Sequence, residues 1–558
     1  MKNILRSGVT LLCLAATPTF GNASSLTAYD DEAIAPFLWG WMDEVTMSDE
    51  GLKKIVAKTD PLRPFFLAYR LLVQHQRTSD PAMLESAVRA LNYMVDEYQP
   101  AERNADGYRW FYGFDYDGGI KAPWWSGMDG FFGPMALYAG WQATGDERFK
   151  DISIASAKRM LKDPTQGGVL WRNGDSCWIS EYSWNGMKED QEYYVLNGHL
   201  WGLQALYMLA EASQDKELNE AYRCARKGTV ERLSQFYNAG DTWTWYQLTP
   251  KVINPTHYNI VEQAQFLAMA KITGDDVYTE PAQHRGEIFK KSYPLSLVKT
   301  DAGQEIQFSM MGTPNPYWTD TYPVTVRCKV GDEVVEKQNA SVYDEAIPLS
   351  ERLVLRLPVA STPSSCAVSI HSNVEVKLYE QTDFVVETRS RDLIDLAAHA
   401  DLRSTEKDDT GSFRLEVSAD QYWWIKLFER VSKKPKNESR VKIDVDREIG
   451  PTDTLAMTIN PETKVQLGVI FVDDAGKSAF RYYPDLEAGK DNIVVLSTIG
   501  FQRGDELGEH IKSAMLRFYT HDIDRSFDAS IKGVEVLRSP LHVQQYMKEH
   551  SGGHFPQQ

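Results

Sequence analysis

Apolar residues at helical spacing up to about residue 290, long aromatic loops between those segments, and β-type alternation after Ser292 predict the fold class. The class is an α+β multidomain chain: an N-terminal incomplete (α/α) toroid followed by C-terminal β-sandwich domains. At 558 residues the chain exceeds one ordinary domain. The expected units are a leader over 1–23, the toroid over 27–292, a β domain over 293–388, a linker over 389–409, a β-sandwich of jelly-roll or carbohydrate-binding type over 410–545, and a disordered tail over 546–558.

The leader reads as an export signal. Lys2 and Arg6 precede the apolar run Val9–Ala16, and Gly21-Asn22-Ala23 supplies the small residues of a cleavage site. The run is too short to span a bilayer and no later segment could, so a secreted or periplasmic protein with no membrane span is expected. In the helical part, Pro64–Gln74, Pro81–Tyr98, Pro134–Ala143, Phe149–Leu161, Leu196–Ala212, Leu218–Phe236 and Ile260–Ala270 each show one apolar face. A helical solenoid that binds protein is the other reading, but its loops would be short and poor in Trp. Past Ser292, runs such as Pro323–Val330, Cys366–Ile370, Lys464–Val472 and Ala514–Tyr519 alternate or are β-branched, between turns such as Gly331-Asp332 and Ala488-Gly489. Cys328 and Cys366 lie in two such runs and could pair in an oxidising compartment. Whether Cys177 and Cys224 pair or remain two buried thiols stays open, thiols being the commoner case.

Five aromatic blocks in the helical part point to chemistry: Lys121–Gly130, Trp178–Tyr182, Tyr193–His199, Trp243–Leu248 and Asn254–Tyr258. Tyr, Asn and His are kept out of cores unless hydrogen bonds receive them. Rings such as Trp124 and Trp125 beside amides such as Asn197 suit a sugar, which needs faces to stack on and partners for its hydroxyls. A net charge of −18 argues against nucleic acid, and it would repel an anionic polymer at long range. A uronate would therefore need local cations, for which Arg109, Lys121, Arg172, His199 and His257 are the candidates, a solvated surface cation being the alternative for each. Tyr182 follows Glu181. A phenol acts as a base only when its surroundings lower its pKa, and a buried glutamic acid can stay protonated to donate to a carboxylate.

In order, Pro123–Met128, Glu181-Tyr182, Val195–Gly198, Trp245–Leu248 and His257 with Gln263–Leu267 resemble the C-terminal catalytic domain of the D-glucuronyl C5-epimerase family. The resemblance covers about 123–267. It implies conversion of D-glucuronate to L-iduronate in heparosan or heparan-type chains, with Tyr182, Tyr246 and Tyr258 serving catalysis. The chain departs from the pattern at Ser180, at Ser183 and at Thr256, where the family has its last tyrosine; here Tyr258 follows His257 instead. Its strand regions also follow the helical part, whereas the family places them before it. Removing a C5 proton requires stabilising charge on the carboxylate, and inversion requires groups on both faces of the ring. The alternatives are a polysaccharide lyase, in which the C4 oxygen leaves, a glycoside hydrolase using acids among Asp115, Asp117, Asp129, Glu189 and Glu262, and a secreted glycan-binding protein. The partner expected is an anionic uronate-containing polysaccharide, and a homodimer is compatible with the sequence. No organic cofactor or catalytic metal is expected. Asp473-Asp474 and Asp522 with Asp524 are candidates for a structural calcium, a solvated loop being the commoner outcome.

Overall fold

The computed structural model describes residues 25–28, 60–116, 119–238, 242–310, 323–338, 354–371, 375–387, 391–394, 400–402, 412–415, 418–424, 432–450, 453–501, 503–520 and 527–550. The expected leader (1–23), Asp117, Asp522, Asp524 and the end of the expected tail lie outside these residues, as does most of the expected linker. What is described is a mixed helix-and-strand protein.

Four helix hairpins come first: α1 (Leu62–Thr78) with α2 (Pro81–Asn92), α3 (Gly127–Thr144) with α4 (Glu147–Met160), α5 (Leu196–Ser213) with α6 (Lys216–Arg232), and α7 (Thr256–Thr273) with α8 (Asp276–Ser292). All four turns have the same chemistry. A left-handed residue (Ser79, Gly145, Gln214 or Gly274) ends the first helix, and an aspartate (Asp80, Asp146, Asp215 or Asp275) caps the second by accepting a backbone N–H. Two-residue turns of this kind hold neighbouring helices antiparallel.

Helices α1, α3, α5 and α7 pack in succession as an inner row, and the second helix of each hairpin lies outside it. The outer helices show the expected single apolar face, and the inner ones correct it. Helix α3 is buried continuously from Asp129 to Gly140, and most of α5 and α7 is buried too. An inner helix meets protein on every side, so its polar residues are enclosed as well.

Strands 296–300, 303–309, 354–359 and 386–387 form one sheet of the next region, and 324–330, 333–338, 365–371 and 375–381 the other. Their buried side chains join those of the helices in one continuous core, so residue 292 divides sequence pattern but not packing. Cys328 and Cys366 face each other on neighbouring antiparallel strands and are bonded, as are Cys177 and Cys224. A second core lies between two larger sheets, built around strands 432–448, 510–520 and 465–473 on one side and 454–461 and 527–537 on the other.

Two boundaries differ from expectation. Asp392–Leu393 and Ala400–Leu402, inside the expected linker, pair as strands with 535–536 and 441–443. Tyr546 and Met547, in the expected disordered tail, are buried on the last helix, α9 (Pro540–His550). With Ala456, Ile493 and Leu537 they form a small cluster on the face of the 454–461, 492–496 and 527–537 sheet that points away from the second core.

Candidate active site

Three long connections lead into α3, α5 and α7, and each folds back on itself as a short β ladder: 101–104 with 107–110, 170–173 with 176–179, and 245–248 with 251–253. Backbone bridges lace them together, Tyr112 to Trp124, Trp124–Trp125 to Ser183–Trp184, and Val195 to Gln247. The strand that leads to Glu181 runs tightly against helix backbone. A Cβ on Gly228 of α6 would lie 1.8 Å from the Cys177 carbonyl oxygen, and one on Gly198 of α5 only 2.2 Å from Glu181 Oε2. Glycine at both places is what lets the strand approach so closely.

The lacing gathers Tyr112, Trp124, Tyr182 and Tyr246 into a separate buried aromatic cluster, rimmed by half-buried Tyr116, Trp184, Tyr193 and Tyr258. At its centre the Tyr182 hydroxyl donates to the Tyr116 oxygen at 2.9 Å and is hydrogen-bonded to the Tyr246 hydroxyl at 3.2 Å. The Tyr116 and Tyr182 rings stack at 4.7 Å, and the Tyr258 ring lies 5.0 Å from that of Tyr246. Trp124 stacks on Tyr112 at 3.9 Å and donates its indole N–H to the Phe114 carbonyl, so it forms the wall behind Tyr182. His257, half-buried, packs against Tyr258.

Burial dominates the electrostatics. It raises the pKa of Tyr116, Tyr182 and Tyr246 above the usual phenol range, and the nearby Glu181 adds to the rise. Glu181 is itself pushed up to about 8, by burial first and by Glu192 and Glu262 after it, while Tyr182 and the Gly198 N–H work against the shift. At neutral pH it is therefore a carboxylic acid. Among the described residues its Oε2 atom has no hydrogen-bond partner, and neither does Oδ1 of Asn197, which heads α5. The site thus presents neutral hydroxyls, a neutral carboxyl and an amide.

Of the residues expected from the sequence, Glu181, Tyr182, Tyr246, Tyr258, Trp124 and His257 come together here, with Asn197 one residue before Gly198. Four do not. Arg109 is buried elsewhere, bonded to Glu102 at 2.7 Å and to the Gly167 carbonyl, and it stacks over Trp125. Trp125 donates to the Gly168 carbonyl and belongs to the helical core. Arg172 is exposed on the 170–173 ladder, against the Cys177 sulfur. His199 is fully buried on Trp178; its Nδ1 accepts the Ile179 N–H, its Nε2 meets the Thr229 hydroxyl, and burial lowers its pKa to about 3, so it is a neutral packing residue. Lys121 is exposed and paired with Asp115 at 2.6 Å, on the loop that carries Tyr116.

The acids considered for a hydrolase are also separated by role: Glu262 is ion-paired at 2.6 Å with buried Arg285, and Asp129 is buried beneath Tyr112. As a calcium ligand Asp473 is already engaged, because its two oxygens accept the Lys477 and Gly508 N–H groups. Asp474 pairs instead with His510, and Asp446 with these two could offer three ligand atoms at the surface. Sequence reasoning missed Tyr116. It stands in the turn-like Asp115-Tyr116-Asp117-Gly118-Gly119, and nothing in that pattern distinguishes a site residue from a turn residue.

Residues 103–286 match the family model described as the D-glucuronyl C5-epimerase C-terminus. The match takes in every residue of the tyrosine cluster and leaves the strand regions outside. No curated protein matches the sequence. Among solved structures, the chain is similar to a D-mannose isomerase at 14% identity, covering 46% of this chain and 73% of that one with a TM-score of 0.32. It is similar to a cellobiose 2-epimerase from Bacillus thermoamylovorans at 16% identity, covering 42% and 60% with a TM-score of 0.31. An unsaturated glucuronyl hydrolase from a Streptococcus shares 11% identity over 47% of this chain and 68% of its own, with a TM-score of 0.30.

Proposed function

With residues 103–286 matching a D-glucuronyl C5-epimerase C-terminus, we propose that the protein is a polysaccharide uronate C5-epimerase acting on heparosan or heparan-type chains. The observation that carries this reading is the convergence of Tyr182, Tyr246 and Tyr258 beside a neutral Glu181. In this reading a deprotonated tyrosine takes the C5 proton, and the electron pair of the C5–H bond moves into the carboxylate. Glu181, uncharged and with an unpaired oxygen, supports that charge by donating to it instead of repelling it. A group on the other face then returns a proton to C5, inverting the centre.

Distances between the hydroxyls support a division of these roles. Groups flanking a ring carbon stand roughly 3 Å from it on each side, so about 6 Å apart. The Tyr182 and Tyr246 hydroxyls are 3.2 Å apart, so in this arrangement they serve one face together. Tyr258, at the rim beside His257, is assigned the opposite face, with His257 toward the substrate carboxylate.

The four helix hairpins with their aromatic connections at one end support the reading of this part as an incomplete (α/α) toroid, with the site at the loop end. Export to a secreted or periplasmic location is part of the proposal. Two disulfides are compatible with it, and no described helix is long and apolar enough to cross a membrane. A lyase is the second reading, favoured by one observation: burial holds the phenols protonated, which suits donation to a leaving C4 oxygen.

Incubation with heparosan-type chains in heavy water separates these readings. Deuterium at C5, new iduronate and unchanged chain length are expected. Shortened chains ending in an ultraviolet-absorbing 4,5-unsaturated uronate would replace the epimerase by the lyase. New reducing ends without that absorption would indicate a hydrolase, and binding without change a glycan-binding protein.

A further inference from the structure

We infer that Tyr116 is a positioning residue of the proton-transfer centre, whose hydroxyl supplies a second hydrogen bond to the phenolate formed at Tyr182. The inference rests on the epimerase reading and adds to it a residue outside the ordered family blocks.

The argument begins with what faces Tyr182. Burial raises its pKa most, and the groups that add to the rise are Glu181 beside it in the chain, Tyr116 from the 111–123 loop, Tyr246 from the 245–248 strand and Tyr258 from the start of α7. The ring of Tyr193 closes the side at 6.0 Å. Each of these is neutral or anionic, so hydroxyl donors are the means at hand to stabilise a phenolate there. Two hydroxyls lie within hydrogen-bond distance, those of Tyr246 and Tyr116. Three phenols in contact titrate as one unit: the first proton lost leaves an anion that two neighbours can solvate, and a second loss is strongly opposed.

Protons balance as follows. Hydroxide takes the Tyr182 proton and forms water. The Tyr116 hydroxyl, which accepts from neutral Tyr182, turns and donates to the new phenolate. The phenolate oxygen then bonds the C5 proton as the C5–H electron pair passes to the substrate carboxylate. Ring stacking at 4.7 Å holds Tyr116 in reach throughout, and the loop that carries it is closed by the Tyr116–Ile120 bridge and the Lys121–Asp115 pair.

The test is Tyr116→Phe in the full chain, which keeps the stacked ring and removes the donor. A hydrogen bond to a charged group accounts for about 10- to 100-fold in rate, so kcat for C5 exchange should fall by that factor with KM within about twofold. The rate–pH profile should also move upward by about one unit or more. A more acidic fluorinated tyrosine at position 116 should move the profile the other way. A reporter independent of turnover is a ring-fluorinated tyrosine incorporated at position 182 and titrated by fluorine NMR without substrate. Its midpoint should rise by about one unit or more in Tyr116→Phe. An unchanged or lower midpoint, or a raised KM with an unmoved pH profile, would overturn the inference. If the epimerase reading alone is wrong, the wild-type protein exchanges no C5 proton while the fluorine midpoint still responds to Tyr116.

Discussion

Gly198→Ala tests whether the close fit between α5 and the Glu181 strand sets the site. Alanine is favoured over glycine in a helix by at most about 1 kcal/mol, and by less in the first turn where Gly198 stands, so propensity alone predicts a slightly more stable protein. The structure predicts the reverse. The added Cβ would lie 2.2 Å from Glu181 Oε2, 2.5 Å from its Cγ and 2.6 Å from its Cβ. Rotating the carboxyl relieves only the first contact; the last requires the strand backbone to move by about 1 Å. That strand is held by the Gly127 N–H on the Ser180 carbonyl at 2.9 Å and by the Ser180 N–H on the Val169 carbonyl at 2.8 Å, so the shift is passed on to Tyr182. Overpacking costs about 1–3 kcal/mol, which leaves a net loss. A misplacement of this size costs on the order of 10²-fold in turnover. Denaturant melts and C5 exchange rates measure the two effects. Gly130→Ala is the control, since its Cβ would meet only the flexible Met160 side chain, at 3.1 Å and beyond. Wild-type stability and turnover in Gly198→Ala would refute the argument.

Other perturbations have equally definite outcomes. Glu181 has a folded pKa of about 8 against 4.5 for a free glutamate, so the native state keeps a proton that the unfolded chain has released. Its contribution to stability is therefore intact below about 4.5 and is lost as pH rises from there to about 8, by at most about 1.4 kcal/mol per unit. Glu181→Gln should flatten the stability–pH curve in that window, and an unaltered slope would show that the carboxyl does not stay protonated. Arg285→Met leaves Glu262 buried without its cation and should cost about 3–5 kcal/mol in denaturant unfolding; burial already pushes the Glu262 pKa up to about 7, so a loss below about 1 kcal/mol would mean that the carboxyl takes up a proton instead of staying charged. Cys177→Ser opens a bridge across a sequence separation of 47 and should lower stability by up to about 4 kcal/mol, with equal melts for wild type and variant counting against that bridge in solution.

What the sequence disclosed follows physical lines. Gly145-Asp146 and Gly274-Asp275 announce helix turns because few residue pairs both end one helix and cap the next. The same turn at Ser79-Asp80 and Gln214-Asp215 is less visible, since Ser and Gln adopt the left-handed region without being specialised for it. Enclosure of α3 and α5 on all sides was legible but passed over: runs such as Phe131, Phe132, Met135, Ala136, Leu137 and Ala139 are apolar all round the helix, which marks an enclosed helix rather than one with a single buried face. At the site, Glu181, Tyr182 and Tyr246 stood out by chemistry and order. His199 misled because it sits in the same aromatic block as Tyr193, and only three-dimensional packing turns it toward Trp178 and Thr229. Arg109 misled similarly, its charge being satisfied by Glu102 away from the tyrosines. Tyr116 was missed because its partner Tyr182 is 66 residues away, a contact that only the lacing of separate loops creates.

The most direct test of the account is release of deuterium from heparosan-type chains labelled at C5 of glucuronate, comparing wild type with Tyr182→Phe and Tyr246→Phe. Each variant keeps its ring in the cluster and loses only the hydroxyl. The account predicts release into water by wild type, a fall of on the order of 10²-fold or more in each variant, and retained binding of the polymer. Release at near-wild-type rates from both variants would contradict it and leave these tyrosines as stacking surfaces alone.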